Sequence, residues 1–148
     1  MAAYVPTIPP NSEELGKNYL EGLRWPSGLM TQMTANWREF PYRFMVLDDS
    51  GSMSINDGEI LMEHGSIRKA IKTSRWKEMG HAAKFHAELA NIAKAPTEFC
   101  FLNNGAPIVV GEEEDDGVAK NKVKKILDGG PSGGTPLVRV LNEIHAKI

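Results

Sequence analysis

Cysteine is nearly absent: the 148 residues contain one, Cys100. A single thiol excludes an internal disulfide and any cysteine-cluster metal site, and it sets a reduced, cytoplasmic environment as the expectation. Long apolar runs are missing too. Nothing approaches the roughly 20 residues that cross a bilayer as a helix. Charge of one sign is not in excess: 17 Lys and Arg stand against 19 Asp and Glu, a net charge of −2. That balance gives no electrostatic case for nucleic acid or for an anionic membrane surface as partner. The start, Met1-Ala2-Ala3-Tyr4-Val5-Pro6, has no basic stretch followed by an apolar one, so no secretory signal is expected.

What is present is an ordinary globular composition, 41% apolar and 24% charged, with room for one core. Residues 1–41 form an N-terminal extension. Pro6 to Asn11 holds three prolines and is expected to run extended. Ser12 has the chemistry of an N-cap, and the helix it opens should stop near Gly22. Leu29, Met30, Met33 and Trp37 recur at helical spacing, and Pro41 closes that second helix.

Residues 42–148 form the main domain. Tyr42 to Leu47 is short, apolar and bounded by Pro41 and Asp48, which reads as a strand buried on both faces and central in a sheet. Ile55 to Lys72 has no clean period; it is expected to be an excursion with a helical turn near 67–71. Arg75 to Lys94 carries an apolar stripe, Met79, Ala82, Phe85, Leu89 and Ile92, and ends before Pro96. A strand over 98–102 should turn through Asn103-Asn104-Gly105, a type I′ signal, into an edge strand begun by Pro107. A weaker helix spans 118–127. Thr135 is suited to cap a last helix with Pro136 at its first position and Leu137, Val140, Leu141, Ile144 and Ile148 on its apolar face. The fold class is α/β, with helices packed on a sheet.

The informative cluster follows the apolar strand. Asp48, Ser50 and Ser52 are spaced two apart, and Gly51 permits the bend that aims all three at one point. One carboxylate and two hydroxyls are hard oxygen donors suited to a small dication such as Mg²⁺. The segment Leu47-Asp48-Asp49-Ser50-Gly51-Ser52-Met53 resembles the metal-ion-dependent adhesion site of von Willebrand factor A (VWA) domains, and Gly133-Gly134-Thr135-Pro136-Leu137 resembles the loop supplying that family's threonine ligand. The resemblance runs from about Arg43 to Ile148. It implies a Rossmann-like sheet with helices on both faces, partial here: a central strand, a hairpin with an antiparallel edge strand, and flanking helices. It further implies direct ligation of Mg²⁺ (or Mn²⁺ or Ca²⁺) by Ser50 and Ser52, a water-mediated Asp48, and a direct or water-mediated Thr135. The open metal position would accept an acidic side chain from a protein partner. No catalytic residue is implied.

The chain departs from the family at its end. The last ligand of the family, an aspartate after the next buried strand, has no counterpart before Ile148. The resemblance therefore reads as one truncated at its C-terminal end, with a strand edge free to pair with a second copy. An incomplete or vestigial metal site would leave a scaffold domain, the main alternative. A haloacid-dehalogenase-like phosphohydrolase is the lesser one: such enzymes carry a second aspartate two residues after the first, where Ser50 stands here.

Other signals read as structural. The five carboxylates Glu112 to Asp116 lack EF-hand spacing and read as a solvated, mobile loop. His81 and His86 lie five apart, roughly 140° around a helix, so they cannot share a metal as i, i+4 histidines do. Trp25, Trp37 and Trp76 read as packing residues, Cys100 as buried in its strand, and the Gly-rich loop lacks the lysine of a P-loop.

Overall fold

A computed structural model describes residues 5–148. The expectation of a signal-free N-terminus falls in part on residues 1–4, which lie outside the described residues. The chain is mixed α/β: α1 (Ser12–Gly22), α2 (Ser27–Glu39), β1 (Arg43–Leu47), a 3-10 turn (Gly51–Ser54), β2 (Gly58–His64), β3 (Ile67–Thr73), α3 (Arg75–Ala93), β4 (Thr97–Phe101), β5 (Ile108–Val110), α4 (Val118–Asp128) and α5 (Leu137–His145).

Three strands form the main sheet in the order β1-β4-β5, with β1 parallel and β5 antiparallel to β4. Every residue of β4 is buried, whereas Arg43 to Val46 of β1 are only half-buried. The central strand is thus β4, and β1 is an edge. The apolar run of β1 reflects side chains packed above and below it, not a neighbour on each flank. Alternation sorts the two faces. Leu47, Phe99 and Phe101 join Ala83, Ala87 and Ala90 of α3 and Val123 and Leu127 of α4. Phe44, Val46, Cys100 and Leu102 take Val140 and Ile144 of α5 from the other side.

The expectation for residues 55–72 fails. They form a separate antiparallel hairpin, β2–β3, with Ile67–Thr73 as a strand instead of a helical turn. The cross-strand ion pairs Glu59–Lys72 and Glu63–Arg68 stand in for the alternation of apolar and polar residues that a half-buried strand would show.

Helices α1 and α2 cover the side of α3 turned from the sheet, where Leu20 and Trp37 bury against Leu89, Ala93 and Ala95. Trp25 stacks on Phe85 at 5.3 Å between ring centroids. Arg43 lies over the Trp37 ring at 5.4 Å and donates to Ala95 O and Thr97 Oγ1, both at 2.8 Å. Burial lowers its guanidinium pKa to about 10. Ser12 is not the N-cap of α1: Asn11 holds that place, and the Ser12 hydroxyl is buried without a partner among the described residues.

Candidate metal centre

β1 delivers Asp48 to its carboxyl end, and the chain then tightens into the 3-10 turn. Asp48 Oδ1 accepts the Ser50 N–H at 2.8 Å, which folds the loop back on itself. The Ser50 and Ser52 hydroxyl oxygens come to 3.2 Å of one another. Two oxygens at adjacent corners of an Mg²⁺ octahedron, each about 2.0–2.1 Å from the ion, stand about 2.9 Å apart. The hydroxyl pair fits that spacing closely.

The Gly-rich loop meets this turn through the backbone. Gly51 N–H donates to Gly133 O at 3.1 Å, and Ser132 N–H donates to Asp49 O at 2.8 Å. Gly133 is needed at the junction: its φ is +99°, and a Cβ there would stand 2.8 Å from Asn103 Oδ1. Thr135 follows two residues later, exposed, with its side chain engaged in no hydrogen bond among the described residues. It does not cap α5. Pro136 is the N-cap and the helix starts at Leu137, whose N–H reaches Thr135 O at 2.8 Å. The proline rigidifies the approach instead of opening the first turn, and the Thr135 hydroxyl is left uncommitted.

The residue that organises the site is Asp49, which sequence reasoning missed. It is completely buried. Its Oδ1 accepts the backbone N–H and side-chain amide of Asn103 at 2.8 and 2.9 Å, and its Oδ2 accepts those of Asn104 at 3.0 and 2.7 Å. Asn103 also donates to Gly134 O at 2.8 Å. One carboxylate thus ties the loop after β1, the end of β4 and the Gly-rich loop together. Asn103-Asn104-Gly105 does not make a type I′ turn: Gly105 has a φ of +69° but Asn104 does not have positive φ, and β5 pairs only from Ile108 onward. The two asparagines turn inward to Asp49 instead. The available signal was the Asp-Asp doublet at one strand end and the Asn-Asn doublet at the end of the next.

Elsewhere the groups are structural. Asp115 is not free in its acidic run: Oδ1 accepts the N–H groups of Gly117 and Ala119 at 3.1 and 3.3 Å at the start of α4, and its carbonyl takes Lys94 Nζ at 2.6 Å. The Cys100 thiol is pushed up to about 11 by burial and then by Glu98, so it stays protonated at neutral pH. Glu98, buried on the α5 side of the sheet, accepts from Tyr42 and Lys147. His81 is exposed, and His86 is held below the ordinary imidazole range by burial and by Arg43. Among the described residues no three His, Cys, Asp or Glu side chains gather as a metal cluster, and no helix is long and apolar enough to cross a membrane. Comparison with protein-family models, curated proteins and solved structures found no match to the chain.

Proposed function

We propose that this chain is a divalent-cation-dependent protein-binding module related to VWA domains, with Mg²⁺ held by Asp48, Ser50, Ser52 and Thr135. The carrying observation is the convergence of two distant loops: Gly51 bonds to Gly133 at 3.1 Å while the Ser50 and Ser52 hydroxyls stand 3.2 Å apart. The strand order β1-β4-β5, parallel and then antiparallel at its edge, supports a partial Rossmann-like sheet of VWA type, with the candidate ligands at strand carboxyl ends. When bound, the cation supplies a Lewis-acidic position for a partner carboxylate. The chain orients the ligands: Asp48 fixes the turn through Ser50 N–H, and Asp49 locks the two loops in register.

One carboxylate and neutral hydroxyls make a weak site, with a Kd of about 10⁻³ M expected by analogy with low-charge divalent sites. Calorimetric titration with Mg²⁺ or Mn²⁺ tests this. Ser50→Ala and Thr135→Ala should each weaken binding about tenfold or more. No heat with the unmodified chain returns the scaffold reading, and hydrolysis of a generic phosphate ester would favour a phosphohydrolase.

The flank of β1 away from β4 has no partner strand among the described residues. It supports self-association through that edge. Light scattering across a dilution series should show mass falling with concentration; a constant monomer mass would refute it.

A further inference from the structure

The β2–β3 hairpin is nearly all solvent-exposed; of its residues only Gly58 is buried. A two-stranded hairpin is marginal in water by itself. This one is anchored at its root, where Arg75 clamps Asp57 with bonds of 2.7 and 2.6 Å and Arg75 N–H reaches Ile55 O at 3.0 Å. Gly58 presses so close that a Cβ would lie 2.9 Å from Ser74 O.

Register sorts the two faces of the arm. On one, Glu59 pairs with Lys72 at 2.7 Å and Glu63 with Arg68 at 3.0 Å, so the charges cancel. The other carries Ile60, Met62 and His64 opposite Ile71, Lys69 and Ile67. It holds no carboxylate, and Met62 and Ile67 are 50% and 68% exposed. At the root this face continues into a cleft of about 280 Å³, with Ile60, Trp76 and Leu127 as apolar lining and Lys77, His81 and Lys84 as basic lining. The one carboxylate on the wall, Asp128, is already paired with Lys84. Lys69 and Lys77 have no acidic partner among the described residues.

We infer that the cleft between the β2–β3 hairpin and α3 receives an acidic, apolar segment of a protein partner. Apolar side chains enter beside Ile60 and Trp76, and carboxylates meet Lys77 and Lys69. Charge complementarity selects this occupant: the surface offers apolar area and the unpaired cations Lys69 and Lys77, against Asp128, which Lys84 neutralises, and the one further carboxylate of Glu78 beside Gly58. The concave root, walled by Ile60, Trp76 and Leu127, favours a peptide over a flat lipid surface. This goes beyond the cation-binding reading and does not rest on it.

The experiment is an NMR titration of ¹⁵N-labelled protein in EDTA, which separates the outcome from cation binding. The probe is a blocked octapeptide of Leu and Phe flanked by Glu, with a Lys-for-Glu counterpart. The reporter is the Trp76 indole N–H, hydrogen-bonded to Gly129 O at 2.8 Å. The acidic peptide should move this signal saturably while that of Trp37 stays fixed, and the basic peptide should bind at least tenfold more weakly. Gly80→Leu fills the cleft, because a Cβ there meets only Leu127 at 3.9 Å, and should reduce affinity at least tenfold with the fold retained by circular dichroism. Lys69→Glu with Lys77→Glu should do the same on the exposed surface, where folding is not at stake. Equal binding of the two peptides, an unmoved Trp76 signal, or sedimentation with phosphatidylserine vesicles lost on Met62→Asp would overturn the proposal.

Discussion

Asp49→Ala is expected to lower stability by about 3 kcal/mol and to abolish cation binding. The carboxylate accepts four hydrogen bonds while fully buried. Truncation removes all four acceptors at once. The two asparagine amides can turn toward water, but the backbone N–H groups of Asn103 and Asn104, held in part-buried bonds just past β4, lose their acceptor. Each orphaned donor costs about 1–3 kcal/mol. Urea unfolding would measure the loss, and calorimetry the binding. Asp48→Ala is the contrast: it removes a single bond, to Ser50 N–H, at a half-buried position. It should cost about 1 kcal/mol of stability and still eliminate cation binding. Equal stability losses in the two variants would refute the division of labour between the neighbouring aspartates.

Gly111→Ala should cost about 2–5 kcal/mol, from a left-handed backbone cost of about 1–2 and an overpacking cost of about 1–3. Gly111 has φ of +93° directly after β5. A Cβ would run into Ala90 O and lie 2.9 Å from Ala95 O, both rigid backbone where α3 ends in a left-handed Lys94. The three nearest atoms are all backbone. Gly105→Ala isolates the conformational part: its φ is +69° with nothing within reach of a Cβ. About 1 kcal/mol is expected there. Denaturant midpoints for both would decide whether the clash or the dihedral dominates.

The long helices were legible because their stripes were complete. Arg75 to Lys94 matches α3 to within a residue, and the stop at Gly22 coincides with the end of α1. Misreadings arose where a tertiary partner overrode a local signal. Asn103-Asn104 has the composition of a tight turn, but the buried Asp49 carboxylate outcompetes that geometry. Thr135 has the chemistry of a cap, but the helix begins two residues later. The apolar stretch of β1 is equally compatible with a central or an edge strand, since period and composition report the faces of a strand and not its flanks. The hairpin escaped notice because its exposed strands have no buried face to impose alternation. In the candidate site, the closeness of the Ser50 and Ser52 hydroxyls was legible from spacing. Asp49 was not, because its role depends on residues 54 and 55 positions away that only the parallel pairing of β1 with β4 brings close.

Gly58 and Thr73 are ladder partners. The whole arm between them therefore departs from the molecule and returns to it at one point. Topologically it is an insertion, and the distance between its ends stays the same whatever its length. Such a segment can lengthen, shorten or change its side chains without shifting Ser52 on one side or Trp76 on the other. Under the two proposals above, partner choice and cation chemistry would then be free to diverge separately within one small fold.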